Sequence, residues 1–172
     1  MAEPPAIVVH NLAHALAALA AAAEAGVPIR LESAPGAAAY AGAAWFAAVV
    51  AAARRAHPRA RALAVLDCGA EAGLALGAIR EGVEAIRTRA PARVRRKLAA
   101  IAGAAGTRVV EGRRGAVLDL LDCADPAAAA TAFLARRTAS GRLQIGGGSA
   151  MSGRKLGNRA MGGRPKGRAK RR

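Results

Sequence analysis

Residues 63 to 83, L-A-V-L-D-C-G-A-E-A-G-L-A-L-G-A-I-R-E-G-V, decide the fold. The apolar run Leu63 to Leu66 halts at Asp67-Cys68-Gly69, and a segment of small residues then runs to Gly82. An apolar run that stops at polar residues and passes into a helix is the unit from which parallel α/β sheets are built.

The same order recurs on both sides. Ala6 to Val9 reads as a first strand stopped by His10-Asn11, and a helix over Leu12 to Ala25 is closed by Gly26. Val27 to Leu31 is a second strand, stopped by Glu32-Ser33. After the break at Ala34-Pro35-Gly36 the pattern predicts one long helix to about Ala56, ahead of Pro58. Glu84 to Arg87 is a fourth strand, and Pro91 opens a helix with Val94, Leu98 and Ile101 on one face. Thr107 to Glu111 and Ala116 to Leu121, joined by Gly112-Arg113-Arg114-Gly115, predict a hairpin. Asp125-Pro126 starts a last helix that reaches about Arg137.

The segments 26–35 and 82–91 share a frame of Gly-Val, six residues and Ala-Pro, which is one βα unit repeated rather than a duplication. The pattern as a whole predicts a single alanine-rich α/β domain over residues 1–138. Its mostly parallel sheet is covered by helices on both faces, with a C-terminal hairpin and helix.

Composition sets further bounds. A chain of 172 residues is one domain plus an extension. Apolar residues make up 53%, but alanine dominates and aromatics are only 2%, so Val, Leu and Ile on a few strands must supply most of the buried area. Two cysteines make no disulfide framework. Met-Ala-Glu-Pro-Pro at the N-terminus has no positively charged n-region, so no secretory signal is read. The uncharged stretch Ala37 to Ala53 is alanine- and glycine-rich and is followed directly by Arg54-Arg55, which fits a buried helix better than a membrane span. The address expected is the cytoplasm.

The net charge of +16 is unevenly placed. From Ala139 to Arg172 there are ten basic residues and no acidic one, with Gly146-Gly147-Gly148-Ser149 as a linker. Residues 139–172 are therefore expected to form a disordered, glycine-rich basic tail, leaving 1–138 to fold alone. Arg154, Lys155, Arg164, Lys166, Arg168, Lys170, Arg171 and Arg172 are its candidate contacts to nucleic acid or another polyanion. With no aromatic residue for stacking, that binding would be salt-sensitive and indifferent to sequence.

Candidate chemistry lies at the strand exits, because ligands of open α/β sheets bind beyond the carboxyl ends of the strands. Asp67 is the candidate acid/base there and Cys68 the candidate nucleophile; the alternative for Cys68 is a small filler of the core. His10 and Asn11 are candidate ligands for an anion, and Arg87, Arg89 and Arg93 a candidate clamp. Arg93, Arg95, Arg96 and Lys97 crowd the first turns of a helix, where its dipole disfavours cations unless an anion is bound. A solvated basic face is the competing reading.

His10 and His14 are spaced i, i+4, but no H-E-x-x-H surrounds them and no metal site is assigned. Gly69, Gly73 and Gly77 fit a ridge that lets a helix lie close on the sheet better than a phosphate loop, since neither G-x-G-x-x-G nor G-K-[ST] is present. Nothing names a cofactor. Two functions remain: a body with a polyanion-binding tail, or an enzyme for a small phosphorylated or carboxylated substrate at the strand exits.

Overall fold

The computed structural model describes residues 3–112 and 115–145, with side chains as far as Arg137. The tail cations Arg154 to Arg172 lie outside the described residues.

The elements run β1 (Ala6–Val9), α1 (Leu12–Ala25), β2 (Ile29–Ser33), α2 (Ala37–Tyr40), α3 (Ala43–Ala56) and β3 (Ala62–Asp67). They continue with α4 (Ala72–Arg80), β4 (Ala85–Arg87), α5 (Ala92–Ala104), β5 (Arg108–Val110), β6 (Val117–Asp119) and α6 (Pro126–Ile145). The six strands form one sheet in the order β5-β4-β3-β2-β1-β6, with every pair parallel. The parallel α/β architecture expected from the βα pattern is present.

The expected hairpin is not. β5 pairs with β4 and β6 pairs with β1, so the two strands sit at opposite ends of the sheet order. A glycine-flanked link signals only that the chain changes course. With three residues each, these strands would make a marginal ribbon, and each gains more by extending a sheet already formed. α6 also continues past residue 138, where the sequence suggested the body ends.

From β1 to β5 each crossover steps to the adjacent strand in the same direction. Right-handed crossovers wound that way place all their helices on one face. Ile7, Val9, Ile29, Leu31, Ala64, Leu66 and Ile86 point to that face and share a core with Leu19, Phe46, Leu98 and Leu134. Ala6, Val8, Val65 and Ala85 point the other way and are also fully buried. On that face they alternate with the buried side chains Arg30, Glu32 and Arg87 of the sheet, Arg30 standing opposite Ala6 and Glu32 opposite Val8 and Val65. The flanking helices are thus a single layer, and the second face of the sheet is closed by its own side chains.

The short link from β5 to β6 requires the sheet to curl. Seven Cα–Cα steps from Val110 to Val117 reach at most about 25 Å. Five strand spacings in a flat sheet already take about 24 Å, before the chain returns from the carboxyl to the amino end. The sheet therefore curls, so that its two edge strands lie nearer to one another than a flat sheet would place them.

Two local details differ from expectation. The long helix after Gly36 is broken into α2 and α3 at Gly42, whose φ of 82° is costly for any other residue. Gly73 and Gly77 do not lie on the sheet. A Cβ added at either would meet nothing within 4 Å, and α4 buries Ala75, Ala78 and Ile79 instead. No helix among the described residues is long and apolar enough to cross a membrane.

Candidate functional site

The exits of β2, β3 and β4 are tied together by Asp67. Its Oδ1 accepts hydrogen bonds from Gly36 N at 2.8 Å and Gly69 N at 3.0 Å, and its own N–H donates to Ser33 Oγ at 2.9 Å. Oδ2 lies 3.6 Å from an Arg89 guanidinium nitrogen. Gly69 can turn here because its φ is +59°, and its carbonyl accepts from Arg89 N at 2.6 Å and Thr88 Oγ1 at 3.0 Å. A base must present a free lone pair to its substrate. One Asp67 oxygen is doubly engaged and the side chain is buried, so Asp67 is built as the organiser of these loops.

Cys68 follows Asp67 and so points to the opposite, helical face, where it is fully buried. Burial, with a smaller contribution from the Asp67 charge, pushes the thiol up to about 12. A thiol protonated at neutral pH and walled off by the core is no nucleophile. Iodoacetamide at pH 8 is expected to label the half-buried Cys123 in the folded protein and to leave Cys68 intact until denaturant is added. The raised value also predicts a pH dependence. Because folding favours the protonated thiol, its contribution to stability is complete below about pH 9 and is lost as pH rises towards 12. Urea titrations of the native protein and Cys68→Ala between pH 8 and 11 should converge as the pH rises.

Arg87 does not reach the cavity at the carboxyl edge. It is buried on the inner face, with two guanidinium nitrogens donating to Glu32 at 2.8 and 2.7 Å. Burial works against its charge, but the hydrogen bonds and charge of Glu32 outweigh it and raise its pKa. Glu32 also lies 3.2 Å from Arg30 Nε, and Arg30 donates to Glu3 at 2.7 Å. This chain of charges closes the inner face.

Arg89 does reach the surface. With Thr88, Arg95, Arg96 and Glu111 it lines a cavity of about 740 Å³ at the carboxyl end of β4 and β5. Ala92, Ala99, Val109 and Val110 supply its apolar lining. Ala92, Arg95, Arg96 and Ala99 are one face of α5 at i, i+3, i+4 and i+7. That periodicity was visible in the sequence and assigns Arg95 and Arg96, rather than the exposed Arg93, to the cavity. The N-terminus of α5 has no side-chain cap, and its first turn holds no acidic residue. Three arginines thus line a hollow next to a positive helix pole, with one guanidinium nitrogen of Arg95 donating to Ala90 O at 3.1 Å.

At the other end of the sheet order, His10 Nε2 lies 2.7 Å from Asp119 Oδ1, joining the exits of β1 and β6. Asp119 is a residue the sequence reading passed over, because it extended the last strand to Leu121. Asn11 is exposed, but its side chain caps α1 by accepting from His14 N at 2.8 Å. The His10 and His14 rings meet edge-on with centroids 5.9 Å apart. Among the described residues no group of three or more His, Cys, Asp and Glu side chains is placed to hold a metal ion.

No family model matches the sequence, and no curated protein matches it. Among solved structures, the fold is similar to that of a chain from Coccidioides immitis described as a fructose-1,6-biphosphate aldolase. Identity is 24% and the TM-score 0.53, over 62% of this chain and 44% of that one. The chain therefore spans less than half the length of that protein, and the likeness is one of fold.

Proposed function

We propose that this protein is an enzyme that binds a small phosphorylated or carboxylated substrate at the carboxyl edge of its sheet. The observation that carries this reading is the cavity of about 740 Å³ lined by Arg89, Arg95 and Arg96 beside the uncapped start of α5. Guanidinium forks suit the paired oxygens of phosphate and carboxylate, and an anion there would relieve the repulsion among the arginines. The hollow also takes in Ala92, Ala99 and Val109, and its volume of about 740 Å³ suits a compact anion better than a polyanion for this part of the chain. Asp67 holds Arg89 at the rim, so its part is to position the clamp.

Calorimetry of the full chain with inorganic phosphate and with fructose 1,6-bisphosphate tests the site. Each charge-assisted hydrogen bond contributes about 1.5–3 kcal/mol, so Arg89→Ala combined with Arg96→Ala should weaken binding by at least about tenfold. Arg93→Ala, outside the cavity, should change it little. Affinity unchanged in the double variant, or no binding of either anion to the native protein, would remove this reading.

A further inference from the structure

In the arginine cavity the exposed Glu111 is the lining carboxylate, while Asp67 is engaged in its loops and Cys68 lies in the core. We propose that His10, oriented by Asp119, is the proton-transfer group of this edge; the proposal rests on the reading of the edge as a substrate site. An ionised carboxylate can only accept hydrogen bonds. The 2.7 Å contact therefore places a proton on His10 Nε2 and leaves Nδ1 as the nitrogen that can take one up. Nδ1 has no hydrogen-bond partner among the described residues and is not among the buried orphan atoms, while the His10 side chain keeps 17% of its exposure. The imidazole is thus held by one nitrogen and open at the other, which is the division of labour in a carboxylate–histidine pair that acts as a base.

The surroundings fit that role. His14, edge-on to His10, is itself buried, with its Nδ1 unpartnered. Burial, followed by the proximity of His10, lowers its pKa, although Asp119 works the other way. Among the described residues, the charged group recorded in contact with His10 is the Asp119 carboxylate. In the step itself, Nδ1 accepts a proton from a C–H or O–H of the bound substrate. The bonding pair stays on the substrate, as a carbanion or alkoxide, and the imidazolium returns the proton at a later stage. No oxidant or metal is needed for the balance. A pair that merely fastened β6 to β1 would share the hydrogen bond, but it would need no open nitrogen and would not respond to a ligand.

Two measurements on the full chain decide between these. In nitrogen-15 imidazole spectra, neutral His10 should show the Nε2–H form alone, and Asp119→Ala should admit a substantial Nδ1–H population. With diethyl pyrocarbonate, His10 should be acylated at least tenfold faster than His14. Fructose 1,6-bisphosphate should slow His10 at least fivefold while leaving His57 unchanged. His10 as inert as His14, a tautomer indifferent to Asp119, or no protection by a ligand that calorimetry shows to be bound would each overturn the proposal. If neither anion binds, the arginine-site reading fails separately, and the tautomer and acylation rates alone decide on the pair. Asp119→Asn, which keeps an acceptor for Nε2, guards against a folding defect in the alanine variant.

Discussion

Glu32→Ala is expected to lower stability by about 3–5 kcal/mol, the cost of leaving buried charges without their partner. Glu32 is fully buried and lies between Arg30 Nε at 3.2 Å and Arg87 at 2.7 and 2.8 Å. Its removal strands the Arg87 guanidinium in the closed inner face and leaves Arg30 paired with Glu3. For a domain of this size the loss corresponds to roughly 10–20 °C in melting temperature. Replacing Arg30, Glu32 and Arg87 together by Met, Leu and Met should recover most of it, because an apolar cluster of similar volume needs no counter-charge. Thermal melts of the two variants check this. A melting temperature within 3 °C of the native protein for Glu32→Ala would show that water reaches these groups and that the inner face is not closed. The cluster also sets register, since a slip of one residue in β2 would turn Arg30 and Glu32 into the helical core.

Phe46→Ala is expected to cost about 3–5 kcal/mol on the other face of the sheet. Phe46 leads the fully buried side chains by volume, in a core otherwise made largely of alanine and short aliphatic residues. Alanine neighbours have few rotamers with which to fill the space left behind, so the vacated volume should persist. Urea unfolding at constant m-value measures the effect. Phe46→Leu should cost less than half as much, and equal losses for the two variants would mean that shape rather than volume governs the site.

Much of this was legible in the sequence. The βα units announced themselves by an apolar run, a polar stop and a helix end marked by glycine or, after α3, by Pro58, and Asn11 and Asp125 do sit at the helix starts where their side chains accept backbone N–H groups. Strand order was not legible, because it depends on which neighbours a strand finds in space and not on its own composition. One signal was present and under-read. In Ile29-Arg30-Leu31-Glu32 apolar and charged residues alternate, as they must when one face of the strand meets helices and the other meets charges. Taking Glu32 for the stop after the strand hid that alternation. At the site, Asp67 was recognisable as a strand exit, but only the fold shows that its oxygens face Gly36, Gly69 and Arg89. Asp119 had no local mark at all; its partner is 109 residues away.

The pairing of β6 with β1 also bears on how the chain is made. β1 to β5 are laid down in the order in which they pair, so each can dock as it leaves the ribosome. The outer flank of β1 has no such neighbour until Val117 has been synthesised opposite Ala6. At about 5–20 residues per second, that leaves an apolar strand, Ala6-Ile7-Val8-Val9, with one uncovered edge for about 5–20 s. The growing chain then resembles an unfinished sheet with a sticky rim, the kind of surface that chaperones shield and that pairs wrongly between neighbouring nascent chains. Slow translation of residues 90–130 would lengthen that exposure, so the yield of this protein should depend on the pace of its synthesis as well as on its final stability.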